Sequence, residues 1–374
     1  MILRSITSLL ERKINDRKII ILLGPRQVGK TTLLKNYFTT PDTLWLNGDE
    51  SDVRTLLTDA SSTALKRIVG TKKRLIIDEA QRIPNIGLSL KLIYDEIPHV
   101  KVIATGSSSF ELSNQVNEPL TGRKWEYHLW PLSHNEMVSH TSFLEENRLL
   151  EQRLLYGFYP DVITNSGEEQ SIIKQLSDSY LYKDILAWQD IKKPQKLEAL
   201  LQALAYQIGQ EVSYQELGRL TGMDNQTVER YINLLEKAFV VFRLPSLARN
   251  LRNELKKSRK IYFYDLGIRN AIINNWKPLA LRQDTGAMWE NFLIVERLKF
   301  KAYNSIFTND YFWRTHAQQE IDFIEDYQGK LHAYEFKWNN KRSVKFSKSF
   351  TSAYPDNKLM VVNQENYFDF ISQT

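Results

Sequence analysis

The chain has 374 residues, 42% of them hydrophobic and 25% charged, a length that exceeds one ordinary core and predicts two or three domains. With 15 glycines and 11 prolines it is neither collagenous nor low in complexity, and with no cysteine it has no disulfide, thiolate zinc site or cysteine nucleophile. Lys+Arg 50 against Asp+Glu 44 leaves +6, a mildly basic balance that hints at nucleic acid, and no apolar run nears the roughly 18 residues of a membrane span.

Ile2, Leu3, Ile6, Leu9, Leu10 and Ile14 recur at helical spacing among Arg4, Glu11, Arg12 and Lys13, which predicts an amphipathic helix rather than a secretory leader and fits a cytoplasmic protein. Residues 18–23, 43–46, 74–77 and 100–104 are short apolar runs separated by helical stretches, the alternation of a parallel α/β sheet. From about 145 to 240 strand-like runs almost vanish and helix formers dominate; from about 261 β-rich runs return, after a helix over 289–300.

The first run leads into Gly24, Pro25, Arg26, Gln27, Val28, Gly29, Lys30, Thr31 and Thr32, which satisfies G-x-x-x-x-G-K-[ST] between a strand and a helix. Backbone amides of such a loop point inward and add to the positive end of the helix, so the segment predicts a phosphate cradle. Lys30 is expected on the β- and γ-phosphates and Thr31 on Mg²⁺. The third run ends in Asp78, expected to hold Mg²⁺, and Glu79, expected to polarise the attacking water; this acid pair favours ATP hydrolysis. The fourth ends in Thr105-Gly106-Ser107-Ser108, where Ser107 or Ser108 is a candidate γ-phosphate sensor. Arg123, after Leu120-Thr121-Gly122, is a candidate for transition-state charge, in cis or from a neighbouring subunit.

These strings, with Ile77-Asp78-Glu79-Ala80-Gln81 and Leu129-x-Pro131-Leu132-Ser133, resemble the prokaryotic AAA+ superfamily ATPases that carry a C-terminal domain of unknown function, DUF4143. The resemblance implies a P-loop ATPase domain, a winged-helix middle and a nuclease-like end, which the chain divides as 1–165, 166–262 and 263–374. In that family Tyr156-Gly157-Phe158-Tyr159-Pro160 corresponds to a Gly-Gly-aromatic-Pro turn with one glycine replaced.

Residues 213–221 and 224–239 read as two helices joined by Thr221-Gly222-Met223, a helix-turn-helix with Gln226, Thr227 and Arg230 facing outward. The strands that follow flank Arg249, Arg252, Lys256, Lys257, Arg259 and Lys260, expected to form a basic wing that tracks a phosphate backbone.

Near the end, Gln328-Gly329 as a two-residue hairpin loop pairs 327 with 330 and therefore Asp322 with Glu335, with Lys337 on the same face. Two carboxylates that close repel, so the hairpin predicts a divalent metal between them or neutralisation by Lys337. The pattern resembles the PD-(D/E)xK nucleases of restriction-endonuclease-like fold, which implies Glu290 as the helix acid of a candidate second metal site. His316 and His332 are expected to be structural.

The sequence thus predicts a Mg²⁺-dependent ATPase, working as a homo-oligomer, that remodels or moves along branched or forked DNA. Two rivals stand beside that expectation: an ATP-gated metal nuclease, and a STAND-like switch in which ATP holds an assembly state. Asp78-Glu79-Ala80-Gln81 is also shared with two-domain helicases, but a second recA-like domain is missing.

Overall fold

Ile19–Leu23 is five apolar residues in a row, each at most 1% exposed, as a parallel strand covered on both faces requires. In the computed structural model, which describes residues 2–107, 116–180, 193–248, 258–315, 317–339 and 346–373, that strand is β1. The chain forms two compact units, Met1–Leu132 with Lys237–Phe239 and Ser133–Glu236 with Val240–Thr374.

The first unit runs α1 (Ile6–Lys13), β1 (Ile19–Leu23), α2 (Lys30–Tyr37), β2 (Thr43–Asn47), α3 (Ser51–Leu57), α4 (Ser62–Val69), β3 (Arg74–Asp78), α5 (Ile86–Glu96), β4 (Lys101–Gly106) and β5 (Lys124–His128). Its parallel sheet has the order β2-β3-β4-β1-β5. Because β4 is inserted between β1 and β3, the loops after these three strands open side by side at one sheet edge, where open α/β sheets bind ligands. The Gly24 backbone passes so close to Leu129 that a Cβ would lie 2.1 Å from its carbonyl oxygen, so only glycine lets the chain leave β1 there.

The second unit begins with α6 (His134–His140), entered through a reciprocal capping box of Ser133 and Glu136, then α7 (Phe143–Arg148), α8 (Leu150–Tyr156), α9 (Pro160–Thr164), α10 (Glu169–Tyr180) and α11 (Pro194–Tyr206). It continues with α12 (Tyr214–Thr221), α13 (Asn225–Lys237), the antiparallel pair β6 (Val241–Pro245) and β7 (Arg259–Phe263), α14 (Leu266–Ile272) and α15 (Thr285–Asn304). Last come β8 (Asn309–Arg314), β9 (Glu320–Tyr327), β10 (Lys330–Phe336), α16 (Lys348–Ala353), β11 (Asn357–Val362) and α17 (Tyr367–Ser372). The four strands form a mixed sheet in the order β11-β10-β9-β8. The expected hairpin is present: Gln328 and Gly329 take φ of 54° and 85°, and Lys330 pairs with Tyr327.

Residues 133–165, grouped by sequence with the ATPase domain, pack instead with the second unit, and polar contacts explain why. The Asn270 amide donates to the carbonyls of Leu154 and Leu155 at 3.1 and 2.8 Å, and buried Asp265 accepts from the Phe158 amide at 2.7 Å and the Ile268 amide at 3.1 Å. The segment 156–160 therefore keeps the glycine that matters. Gly157 has φ of 78°, and a Cβ on it would lie 2.1 Å from the Asp265 carboxylate. Gly157→Ala is expected to destabilise by about 2 kcal/mol or more, read as a lower urea midpoint. A midpoint equal to that of the unmutated protein would show that Asp265 is free to swing away.

Candidate active site

The loop between β1 and α2 turns through Gln27, whose φ is 60°, and brings Lys30 back over itself. Lys30 is 5% exposed, and its ammonium donates to the carbonyls of Gly24 and Pro25 at 2.7 and 2.8 Å. The Thr31 hydroxyl donates to Asp78 Oδ2 at 2.7 Å, so the first turn of α2 and the end of β3 share one bond. Hard oxygens from a hydroxyl and a carboxylate, held that close, fit a Mg²⁺ that keeps most of its waters.

Thr105, at the end of β4 and fully buried, completes the arrangement. Its hydroxyl donates to Asp78 Oδ1 at 2.5 Å and accepts from the Glu79 amide at 3.1 Å. Asp78 is thus gripped from both sides, while Glu79, in a left-handed turn with φ 50° and ψ 42°, leaves the strand in a different direction. A non-glycine residue in that region carries strain, which other bonds must hold in place. One such bond is the Gln81 amide, which donates to Glu79 Oε2 at 2.6 Å and to Ser107 Oγ at 2.9 Å. Ser107 therefore lies beside the Glu79 carboxylate through a single intermediary; Ser108 lies outside the described residues.

Sequence reasoning did not single out Thr105, Gln81 or Arg4. Gln81 had a readable signal in Asp-Glu-Ala-Gln, whereas Arg4 had none beyond its place among helix polar residues. Buried Arg4 donates to the carbonyls of Val28 and Trp130, both at 2.6 Å, and so buttresses the cradle from behind.

Arg123 is not at this edge. Its carbonyl accepts from the Ile19 amide, and Lys124 pairs with Ile19, so it stands where β1 begins, a strand length from the loop where β1 ends. Its guanidinium donates to Asp95 at 3.0 and 3.4 Å. Arg123 thus stands at the opposite end of β1 from its own cradle.

In the second unit α12 and α13 form the expected helix-turn-helix, with Gly222 in the left-handed conformation between them. Gln226 and Arg230 are exposed, but Thr227 is used locally: its amide and hydroxyl both donate to Asp224 at 2.8 Å as the cap of α13. Of the expected wing, Arg249, Arg252, Lys256 and Lys257 lie outside the described residues. Lys260 does not belong to a solvated wing at all, being 1% exposed.

Lys260 Nζ lies 2.9 Å from Glu290 Oε1 and 2.5 Å from Glu320 Oε1, and Tyr262 donates to the same Glu290 oxygen. Lys337 Nζ is 2.8 Å from Glu335 Oε2 and 3.6 Å from Asp322 Oδ2. The β9–β10 ladder runs through Phe323 and Tyr334, one residue short of Asp322 and Glu335. There Asp322 Oδ2 accepts from the Phe336 amide at 2.8 Å instead. A register shift between β8 and β9 at the same level turns the strand locally. Lys337 thus faces both acids of the pair, and the unforeseen Lys260 does the same for Glu290 and Glu320. Among the described residues no three acids or histidines are spaced to hold one metal ion. Glu290, Asp322 and Glu335 therefore do not fit a divalent cation as arranged, and no hydrolytic step follows from them. His332 pairs with Glu325 across the sheet, and His316 lies outside the described residues.

Residues 16–138 match the family model described as AAA domain, 147–279 match a domain of unknown function, DUF8612, and 285–373 match another, DUF4143. The DUF4143 match begins at α15, so the helix-turn-helix falls under the separate middle model. An uncharacterized protein of Mycobacterium tuberculosis is 27% identical over 361 residues, covering 95% of this chain and 78% of its own. Another from Methanocaldococcus jannaschii is 23% identical over 389 residues, covering 96% and 85%. In fold the chain is similar to the Walker-type ATPase of Pyrococcus abyssi, with a TM-score of 0.51 at 15% identity, over 72% of this chain and 95% of that one.

Burial pushes the Glu290 carboxyl up to about 7, with Asp322 adding to the rise while Lys260 and Tyr262 oppose it. Glu320 beside Lys260 and Arg314, Glu335 on β10, and Lys337 just after it near Asp322 are further charged groups of the cluster. A folded-state pKa above the unfolded one means that the native state holds the extra proton, so this stability is present below about 4.5 and lost as pH rises to about 7. Glu290→Gln is expected to flatten the fall in stability between pH 5 and 7.5 by on the order of 2 kcal/mol. Glu335, raised to about 6 chiefly by burial, leaves a residual slope in the variant. Urea unfolding at the two pH values measures the change; equal slopes would mean that Glu290 is ionised throughout.

Proposed function

The chain is a P-loop AAA-like ATPase with a C-terminal DUF4143 domain, and on that premise we propose that it couples Mg²⁺-dependent ATP hydrolysis to remodelling of, or movement along, DNA. The observation that carries the catalytic half is the divergence of two adjacent acids, Asp78 clamped by Thr31 and Thr105 and Glu79 turned away toward Gln81. When bound, magnesium would supply positive charge against the charge that develops on the phosphates. Thr31 and Asp78 would hold it through its oxygen shell, and Lys30 would leave its loop carbonyls for the β- and γ-phosphates. Glu79 orients water for in-line attack and takes its proton. Ser107, joined to that carboxylate through Gln81, reports the γ-phosphate, so presence of the phosphate and alignment of the base depend on one amide.

Arg123 enters this scheme from a neighbouring subunit, which supports a homo-oligomer, because its place at the start of β5 removes it from its own cradle. The DNA half rests on the helix-turn-helix and the strand pair after it, with Gln226 and Arg230 exposed on α13, and on the net charge of +6.

Glu79→Gln is expected to lower kcat by about 10² to 10⁴ while retaining ATP binding, and Lys30→Ala to lose binding itself. Single-stranded, duplex, forked and four-way DNA added to the wild type should raise turnover, most for branched forms, with the effect fading as salt increases. An unchanged rate with every DNA, together with ATP-dependent assembly, would move the reading to a nucleotide-held assembly switch. Gln81→Leu keeps the cradle, so kcat should fall about tenfold with KM for ATP within twofold. A change confined to KM would show that Gln81 serves binding alone.

A further inference from the structure

The second unit opens a cavity of about 540 Å³ where α12 meets the edge strand β8, and its lining is polar except for Val212. Two guanidinium groups face it, those of Arg259 and Arg314, against one carboxylate, Glu211. Arg259 donates to the Tyr214 hydroxyl at 2.6 Å and stacks 4.4 Å over the Tyr214 ring; Glu229 is 3.9 Å away. Arg314 donates to Gln318, with Glu211 at 3.7 Å and Glu320 at 3.8 Å.

Each guanidinium has five N–H donors. Among the described residues each makes one side-chain hydrogen bond, and the neighbouring carboxylates attract from beyond hydrogen-bond range. Two forks held on opposite elements, one already locked by stacking, are suited to a tetrahedral anion that accepts from both. The volume exceeds that of a bare inorganic ion and leaves room for a sugar, with Ser213 and Gln318 as polar partners for its hydroxyls.

We propose that this cavity is a phosphate-ester site, separate from the ATP cradle, in which Arg259 and Arg314 grip the phosphate of a nucleic-acid strand or of a free nucleotide. The pocket lies at the N-terminal end of the first helix of the helix-turn-helix, the element that in such motifs crosses the phosphate backbone. Arg314 is paired in register with Glu320, so the site adjoins the lysine-carboxylate cluster on its other side.

The test uses the full chain carrying Lys30→Ala, so that nucleotide binding at the cradle does not contribute. A fluorescein-labelled 20-nucleotide single strand is titrated by anisotropy, and uridine 5′-monophosphate by calorimetry, for this background, Arg259→Gln, Arg314→Gln, the pair, and the two lysine exchanges. Arg67→Gln, an exposed arginine of the first unit, is the matched loss of charge. The pair should weaken one of the two ligands at least tenfold, lysine should restore only part, and Arg67→Gln should change nothing. Loss on the oligonucleotide with a salt slope reduced by about 2 assigns a nucleic-acid strand, and loss on the monophosphate assigns a free nucleotide. Single variants are read if the pair fails to fold. Affinities within twofold across the arginine series, an equal loss in Arg67→Gln, or binding of neither probe overturns the site. If the background binds DNA and the arginine series leaves that binding intact, the pocket is wrong and the DNA reading stands; if it binds only the monophosphate, the reverse holds.

Discussion

Asp78 accepts one hydrogen bond from the Thr31 hydroxyl and another from that of Thr105, and this pair of bonds ties the phosphate loop, β3 and β4 into a single unit. A buried carboxylate with no partner would cost several kcal/mol, whereas hydrogen bonds to a charged acceptor are each worth about 1.5 to 3 kcal/mol. The clamp therefore keeps the carboxylate pointed where a magnesium shell can use it. It also explains why the next residue is free to do something else. With Asp78 held and the Glu79 amide bonded to Thr105, the backbone can turn left-handed at Glu79 and send the second acid outward. The strained turn thus sends two neighbouring carboxylates in different directions, which the proposed division between cation and water requires.

The second unit handles charge in another way. Lys260 is fully buried, yet Glu290, Glu320 and Asp322 outweigh the burial that opposes its charge and hold its pKa above the usual range. Buried ion pairs add little net stability over apolar packing, but removal of one partner is expensive. The cluster is better read as fixing the relation of β7, α15 and β9 than as a reserve of stability. A backbone bridge between Glu211 and Lys260 adds the entry to α12 to the same junction. That junction is where the helix-turn-helix, the four-stranded sheet and the polar cavity meet.

Much of this was legible from local sequence. Gly24 to Thr31 between a strand and a helix, Asp78-Glu79 at a strand end, Gly222 between two amphipathic helices, and Gln328-Gly329 between alternating strands each encode short-range geometry, and each took the expected form. Cross-strand partners were less accessible. Thr105 stands in the sequence beside the sensor candidates, but β4 lies between β1 and β3 and so delivers its hydroxyl to Asp78. Lys260 stands in a run of basic residues in the sequence, but its side chain is buried against Glu290.

The sequence by itself determined the nature of the cradle, because its amides, lysine and hydroxyl come from consecutive residues whose geometry one strand, one turn and one helix suffice to set. It determined the acid pair, and the hairpin register as far as Phe323 and Tyr334, for the same reason. Tertiary structure alone decided which end of the sheet Arg123 occupies, which strands flank Asp78, and that the carboxylates of the C-terminal sheet meet lysines instead of standing open to a metal. Those outcomes depend on strand order and on side chains dozens of residues apart. An ionised group takes whatever counter-charge the folded chain brings within a few ångströms, and no local pattern records which one that will be.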